Sequence, residues 1–125
     1  MSAQDYFFSL NALDKGISRS LSEGISAHIF PAEQSMASVV TIEPHARGVV
    51  HSHPQEQWSV LLKGSAVRIH DGEEIEVGEG DFWVAPGGSE HGIIGGPEGA
   101  VILDVFAPAR PEYRKAGRGF ASHSD

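Results

Sequence analysis

The chain has no cysteine. That removes disulfides, thiolate zinc sites and cysteine nucleophiles together, and it fits a cytoplasmic location, which is the expectation here. Basic residues are scarce: nine Lys and Arg stand against seventeen Asp and Glu, for a formal net charge of −8. Binding to a phosphate backbone needs a basic surface, so the balance argues against nucleic acid and, for the same reason, against anionic membranes. A small anion remains admissible, provided that local cations hold it. No apolar run approaches the length of a membrane span. The start, MSAQDYFFSLNALDKG, lacks the basic stretch and apolar core of a secretory signal.

Turn formers are abundant. Fifteen Gly and seven Pro divide the 125 residues into short segments, a length that fits one domain. Nothing between Gly24 and Pro108 has the periodicity of an amphipathic helix. Short β-branched or apolar runs predict strands at Ser26–Phe30, Ser35–Ile42, Val49–His53, Gln57–Leu62, Ala66–His70, Glu73–Val77, Phe82–Ala85, Gly92–Ile94 and Ala100–Phe106. Asp71-Gly72 suits a two-residue hairpin turn, because both positions tolerate positive φ. Pro31, Pro44, Pro54, Pro86, Pro97 and Pro108 fall at proposed strand ends, where no ladder donor is needed. Many short strands at close spacing predict an all-β antiparallel barrel or jelly roll. The expected organisation is an N-terminal segment, 1–23, serving as edge strand or dimer arm, a barrel over 24–110 and a C-terminal tail, 111–125. That tail is polar apart from Tyr113 and Phe120, so it is expected to be mobile or docked on a neighbour.

Two stretches carry chemistry. In GVVHSHPQEQWSVLLKG, Gly48 to Gly64, a strand would point His51 and His53 to the same face. Two imidazoles on a rigid strand suit one divalent metal. Two surface histidines on an edge strand are the alternative. In GDFWVAPGGSEHG, Gly80 to Gly92, a third histidine, His91, follows a Pro-Gly-Gly turn.

Read together, the two stretches resemble the two motifs of the cupin superfamily. His51, His53, Gln57 and Gly64 match the first motif's spacing, and Gly80, Pro86, Gly88 and His91 match the second. The resemblance covers roughly residues 24 to 108 and implies a metal held by His51, His53, Gln57 and His91. Three positions depart from it: His45 stands for the first Gly, Gly95 for the final Asn, and Gln57 for the usual Glu. Glu56 is the competing ligand, but its parity is wrong if the strand begins there. An amide adds no negative charge, so the metal would keep its full +2 and act as a stronger Lewis acid. Nickel, zinc, iron and manganese all suit such a set.

A third stretch, VILDVFAPAR, places Asp104 on one strand face with Ile102 and Phe106; an ion-paired or surface-facing acid is the ordinary reading, and a carboxylate facing the cavity the alternative. HSHPQEQ followed by DVFAPAR resembles the small KdgF-type cupins of pectin and alginate breakdown. The resemblance implies conversion of 4,5-unsaturated monouronates into linear keto forms, with Asp104 moving protons, Arg110 pairing with the carboxylate and Phe106 shaping the pocket. Two other functions share these residues: an iron-dependent dioxygenase, and a binding or sensor cupin without turnover. His28, His45 and His123 are expected outside the site. His70 and Arg68 share a face: turned inward, both could reach substrate, but solvent is the expectation. The apolar YFF start and Trp58 favour a homodimer.

Overall fold

The computed structural model describes residues 2–114 and 117–119; Phe120 and His123 lie outside them. Among the described residues eight strands form the fold: β1 (Ile17–Ser22), β2 (Ile25–Pro31), β3 (Met36–Ile42), β4 (Glu56–His70), β5 (Glu73–Gly78), β6 (Phe82–Ala85), β7 (His91–Ala107) and β8 (Gly117–Arg118). They run in the order β5-β4-β7-β3-β2-β1-β8, with β6 on the free flank of β4. Every pairing is antiparallel except β1 with β8. This is the all-β barrel that the alternating segments predict. The core is made of inward aliphatic side chains, with Ile25, Ile29, Met36, Ile42, Leu61 and Ile102 among its buried members.

Two pairs of predicted strands prove to be two long, bent ones. Gln57–Leu62 and Ala66–His70 are halves of β4, and Gly92–Ile94 and Ala100–Phe106 are halves of β7. The ladder continues through the bends because bulges absorb them: the β4–β7 register shifts between Leu61 and Lys63 and again between Gly64 and Ala66. Gly64 takes φ 84° at the bend and Gly99 takes φ 76° across from it, which explains why both looked like strand ends. Pro97 consequently lies within β7, on its exposed stretch, and not at a strand end. The bulges also exchange the inward face. Ser59 and Leu61 point inward in the first half of β4, whereas Ala66 and Arg68 do so in the second.

One further expectation is corrected. Val49–His53 is not a strand; only His51 pairs, in an isolated bridge with His91. The segment 1–23 supplies β1, which lies between β2 and β8, preceded by two short 3-10 helices, Ala3–Tyr6 and Leu13–Lys15. Asp71 and Gly72 take φ 45° and 85°, as the hairpin turn requires. The described part of the tail docks on its own barrel: Pro111–Arg114 forms a 3-10 turn, Tyr113 is 2% exposed, and Gly117–Arg118 pairs with β1.

Candidate metal centre and cavity

The three histidines converge, although not by the strand geometry expected of them. His51 and His91 face each other and exchange both backbone hydrogen bonds, at 3.0 and 2.9 Å. His53 lies in the loop beyond, where its carbonyl accepts from the Gly88 amide at 2.8 Å. The Pro86-Gly87-Gly88 turn thereby ties one histidine loop to the other. Gly87 is needed there, since a Cβ on it would run into the Pro54 carbonyl oxygen. One ring nitrogen from each of His51, His53 and His91 lies within 4.8 Å of the others.

The fit to a metal ion is specific. In each ring Nδ1 sits beside a backbone carbonyl: Val49 for His51 at 2.8 Å, Gln55 for His53 at 3.0 Å and Ser89 for His91 at 3.2 Å. Nδ1 therefore carries the proton and donates, which leaves each Nε2 lone pair for a ligand. His91 Nε2 is buried without a hydrogen-bond partner among the described residues. Burial lowers the His53 pKa to about 4 and the His91 pKa to about 3, and neighbouring cationic groups add to both shifts. Both imidazoles are thus neutral at pH 7, as ligation needs. These histidines can hold a metal ion.

Gln57 continues the cluster. Its Oε1 is 3.1 Å from His53 Nε2, so amide oxygen and imidazole nitrogen aim at the same point. Its Nε2 donates to Ser59 Oγ at 3.1 Å, and Ser59 Oγ donates to Asp104 Oδ1 at 2.6 Å. Glu56 is exposed, on the other face of β4. Asp104 lies opposite Ser59 in the β4–β7 ladder. Burial pushes its pKa up to about 6, against the pull of hydrogen bonds from Ser59 and Gln57 and of the Arg110 charge.

One cavity is lined by His51, Gln57, His91, Asp104, Phe106 and Arg110 together. Phe106 packs edge-on against His53, with ring centroids 5.6 Å apart. Arg110 is 1% exposed, its guanidinium 4.1 Å from the Tyr113 ring and 5.4 Å from that of Phe106. The space open to water centres is about 60 Å³, enough for on the order of five waters. A cavity of this size suits a small molecule.

Two further residues line this cavity: Tyr113, for which the sequence suggested no site role, and Arg68, for which it favoured solvent over the inward alternative. Tyr113 was the one aromatic in an otherwise polar stretch before Phe120, which is the signal that could have found it. Arg68, expected to meet solvent, is 4% exposed; the parity exchange at the β4 bulges turns it inward. Of the adjacent aromatics, Trp83 lines the cavity and Phe82 points out. His28, His45 and His70 are not among the lining residues.

A histidine trio set at one end of an antiparallel barrel defines the class, and the chain belongs to the cupin family: residues 38–106 match the Cupin_2 family, the cupin domain. Within that family it is similar to the pectin degradation protein KdgF of Dickeya dadantii, at 28% identity over 74% of this chain and 86% of the relative. The solved structure of KdgF from a Halomonas species superposes with a TM-score of 0.74, at 25% identity over 85% of this chain and 96% of that one. The chain is also 35% identical, over 77% of its length, to the oxalate decarboxylase OxdC of Bacillus subtilis. It spans about a quarter (26%) of that protein's length. These relatives support an enzyme. No helix among the described residues is long and apolar enough to cross a membrane.

Proposed function

We propose that this chain is a metal-dependent enzyme that converts a 4,5-unsaturated monouronate into its linear keto form. The observation that carries the reading is the hydrogen-bonded series Gln57–Ser59–Asp104, which ties a carboxyl of raised pKa to the amide whose oxygen lies beside His53 Nε2 at the candidate metal centre. The similarity to KdgF supports the substrate class.

His51, His53 and His91 would hold the divalent ion, with the Gln57 amide oxygen as fourth ligand. When bound, the ion supplies Lewis acidity toward the sugar's oxygens. Arg110 binds the carboxylate through its planar fork, and its packing on Phe106 and Tyr113 sets the fork's direction. Asp104 is the proton carrier. It takes the proton of the C1 hydroxyl as the C1=O bond forms and the bond from C1 to the ring oxygen breaks. The electron pair passes to that oxygen as an enolate. Asp104 then returns the proton to C4, the C5 ketone forms, and no atom is gained or lost. A pKa of about 6 keeps both protonation states within reach near neutrality. Ser59 and Gln57 hold the carboxyl in place.

The test is to follow the ultraviolet absorbance of the ring double bond in unsaturated galacturonate with metal-loaded protein. Loss of absorbance well above the buffer rate is expected; no acceleration with metal bound would end the reading. We also propose a homodimer, cytoplasmic, assembled through the exposed face where Trp58 and the 70%-exposed Phe82 lie with ring centroids 6.4 Å apart. Sedimentation of the protein and of Trp58→Glu checks the assembly, the variant being expected to run as a monomer.

A further inference from the structure

The cavity carries a second guanidinium that the proposed reaction leaves unused. Arg68 lies in the wall built by the second half of β4 and by β6, whereas Arg110 lies in the wall built by the end of β7 and the turn beyond it. Arg68 donates from Nη2 to the Val84 carbonyl at 3.2 Å and lies 5.6 Å from the Trp83 ring. Its Nε is buried with no hydrogen-bond partner, and no carboxylate among the described residues lies within 4.0 Å of it. A buried guanidinium whose Nε lacks a hydrogen-bond partner among the described residues, and whose carboxylate neighbour, Asp71, lies beyond ion-pair distance, is expensive to desolvate and attracts an anion. Asp104 is the one acidic residue in the cavity lining, against two arginines. In a chain of net charge −8, this cavity is therefore cationic even before a metal adds +2.

We propose that Arg68 gives the cavity a second anion-binding position, so that it holds small sugar acids by both ends, most tightly when each end carries a carboxylate. The orientation rests on the uronate reading. The substrate's carboxylate takes Arg110, the oxygens at its C1 end take Arg68, and the candidate metal centre lies between. In a sugar diacid C1 is itself a carboxylate, which matches the bidentate fork better than a hydroxyl or aldehyde does. Arg68 is thus a specificity-determining residue for the C1 end, and diacids of the same carbon skeleton are predicted inhibitors.

The experiment compares galacturonate with galactarate, which differ in having one carboxylate or two, by calorimetric titration of the metal-loaded protein. Galactarate is expected to bind at least tenfold more tightly, and Arg68→Gln to weaken galactarate at least tenfold more than it weakens galacturonate, so that the preference is lost. Arg68→Lys, which keeps the charge without the fork, is expected to keep part of it. Equal affinities in the wild type overturn the proposal even if the variants fail to fold. A preference that survives Arg68→Gln, or an equal loss for both ligands, overturns it too, because either result would mean that Arg68 only packs against Trp83. The uronate reading fails separately, on the absorbance assay, since these titrations need no turnover.

Discussion

Asp104 is where stability and function pull apart. Its folded pKa of about 6 lies above the 3.8 of a free carboxyl, so the folded state prefers the proton. Stability from this group is fully present below pH 3.8, is lost as the pH rises through 6, and stays lost above it. In the metal-free protein Asp104→Asn should therefore raise the unfolding free energy at pH 8, by up to about 3 kcal/mol, as read by urea titration. The same substitution should lower turnover by about 10²- to 10⁴-fold, the range for a positioned proton carrier; unchanged turnover would mean that Asp104 does not carry the proton. Gln57 is the other informative residue. Gln57→Glu supplies the carboxylate usual at this position and places a second negative charge two hydrogen bonds from Asp104. Metal affinity is expected to rise at least tenfold in competition with a chelator, while turnover falls because the ion's net charge toward substrate is reduced.

The bend in β4 is the element on which the cavity depends. It lets one strand pair with β6 in its first half and β5 in its second, with β7 alongside both. Gln57 and Ser59 reach the cavity from one side of the bend and Arg68 from the other. Gly64 makes this turn with φ 84°, and a Cβ there would collide with the Gly99 carbonyl oxygen. Both backbones are fixed by the ladder, so neither can yield cheaply. Gly64→Ala is expected to cost about 2–4 kcal/mol, seen as a lower urea midpoint with an unchanged slope. Substituting Gly72, whose Cβ would meet open space, tests positive φ alone and should cost less. The first cupin motif thus ends in a glycine for a steric reason, several residues from the ligands it helps to place.

For the whole molecule, the buried groups set an acid limit. Around pH 5 His53 and His91 are neutral in the fold but protonated when unfolded, whereas Asp104 is protonated in the fold and ionised when unfolded. Two protons taken up on unfolding against one released leave a net of one. These groups should make metal-free stability rise by about 1.4 kcal/mol per pH unit there, and Asp104→Asn should double that slope. Urea titrations between pH 4.5 and 5.5 in chelator check it. The sequence by itself determined the barrel class, paired the three histidines as candidate ligands and favoured Gln57 over Glu56 beside them, because strand parity and motif spacing are local properties; it left open whether Asp104 faces the cavity or solvent. It did not show that His51 and His53 approach from a bridged loop, that β4 and β7 run through their glycines, or that Tyr113 closes the barrel of its own chain. Above all it left Arg68 on the wrong side. Parity is legible only as far as the next bulge, and whether a glycine ends a strand or bends it is decided by the neighbouring strand that holds the ladder together.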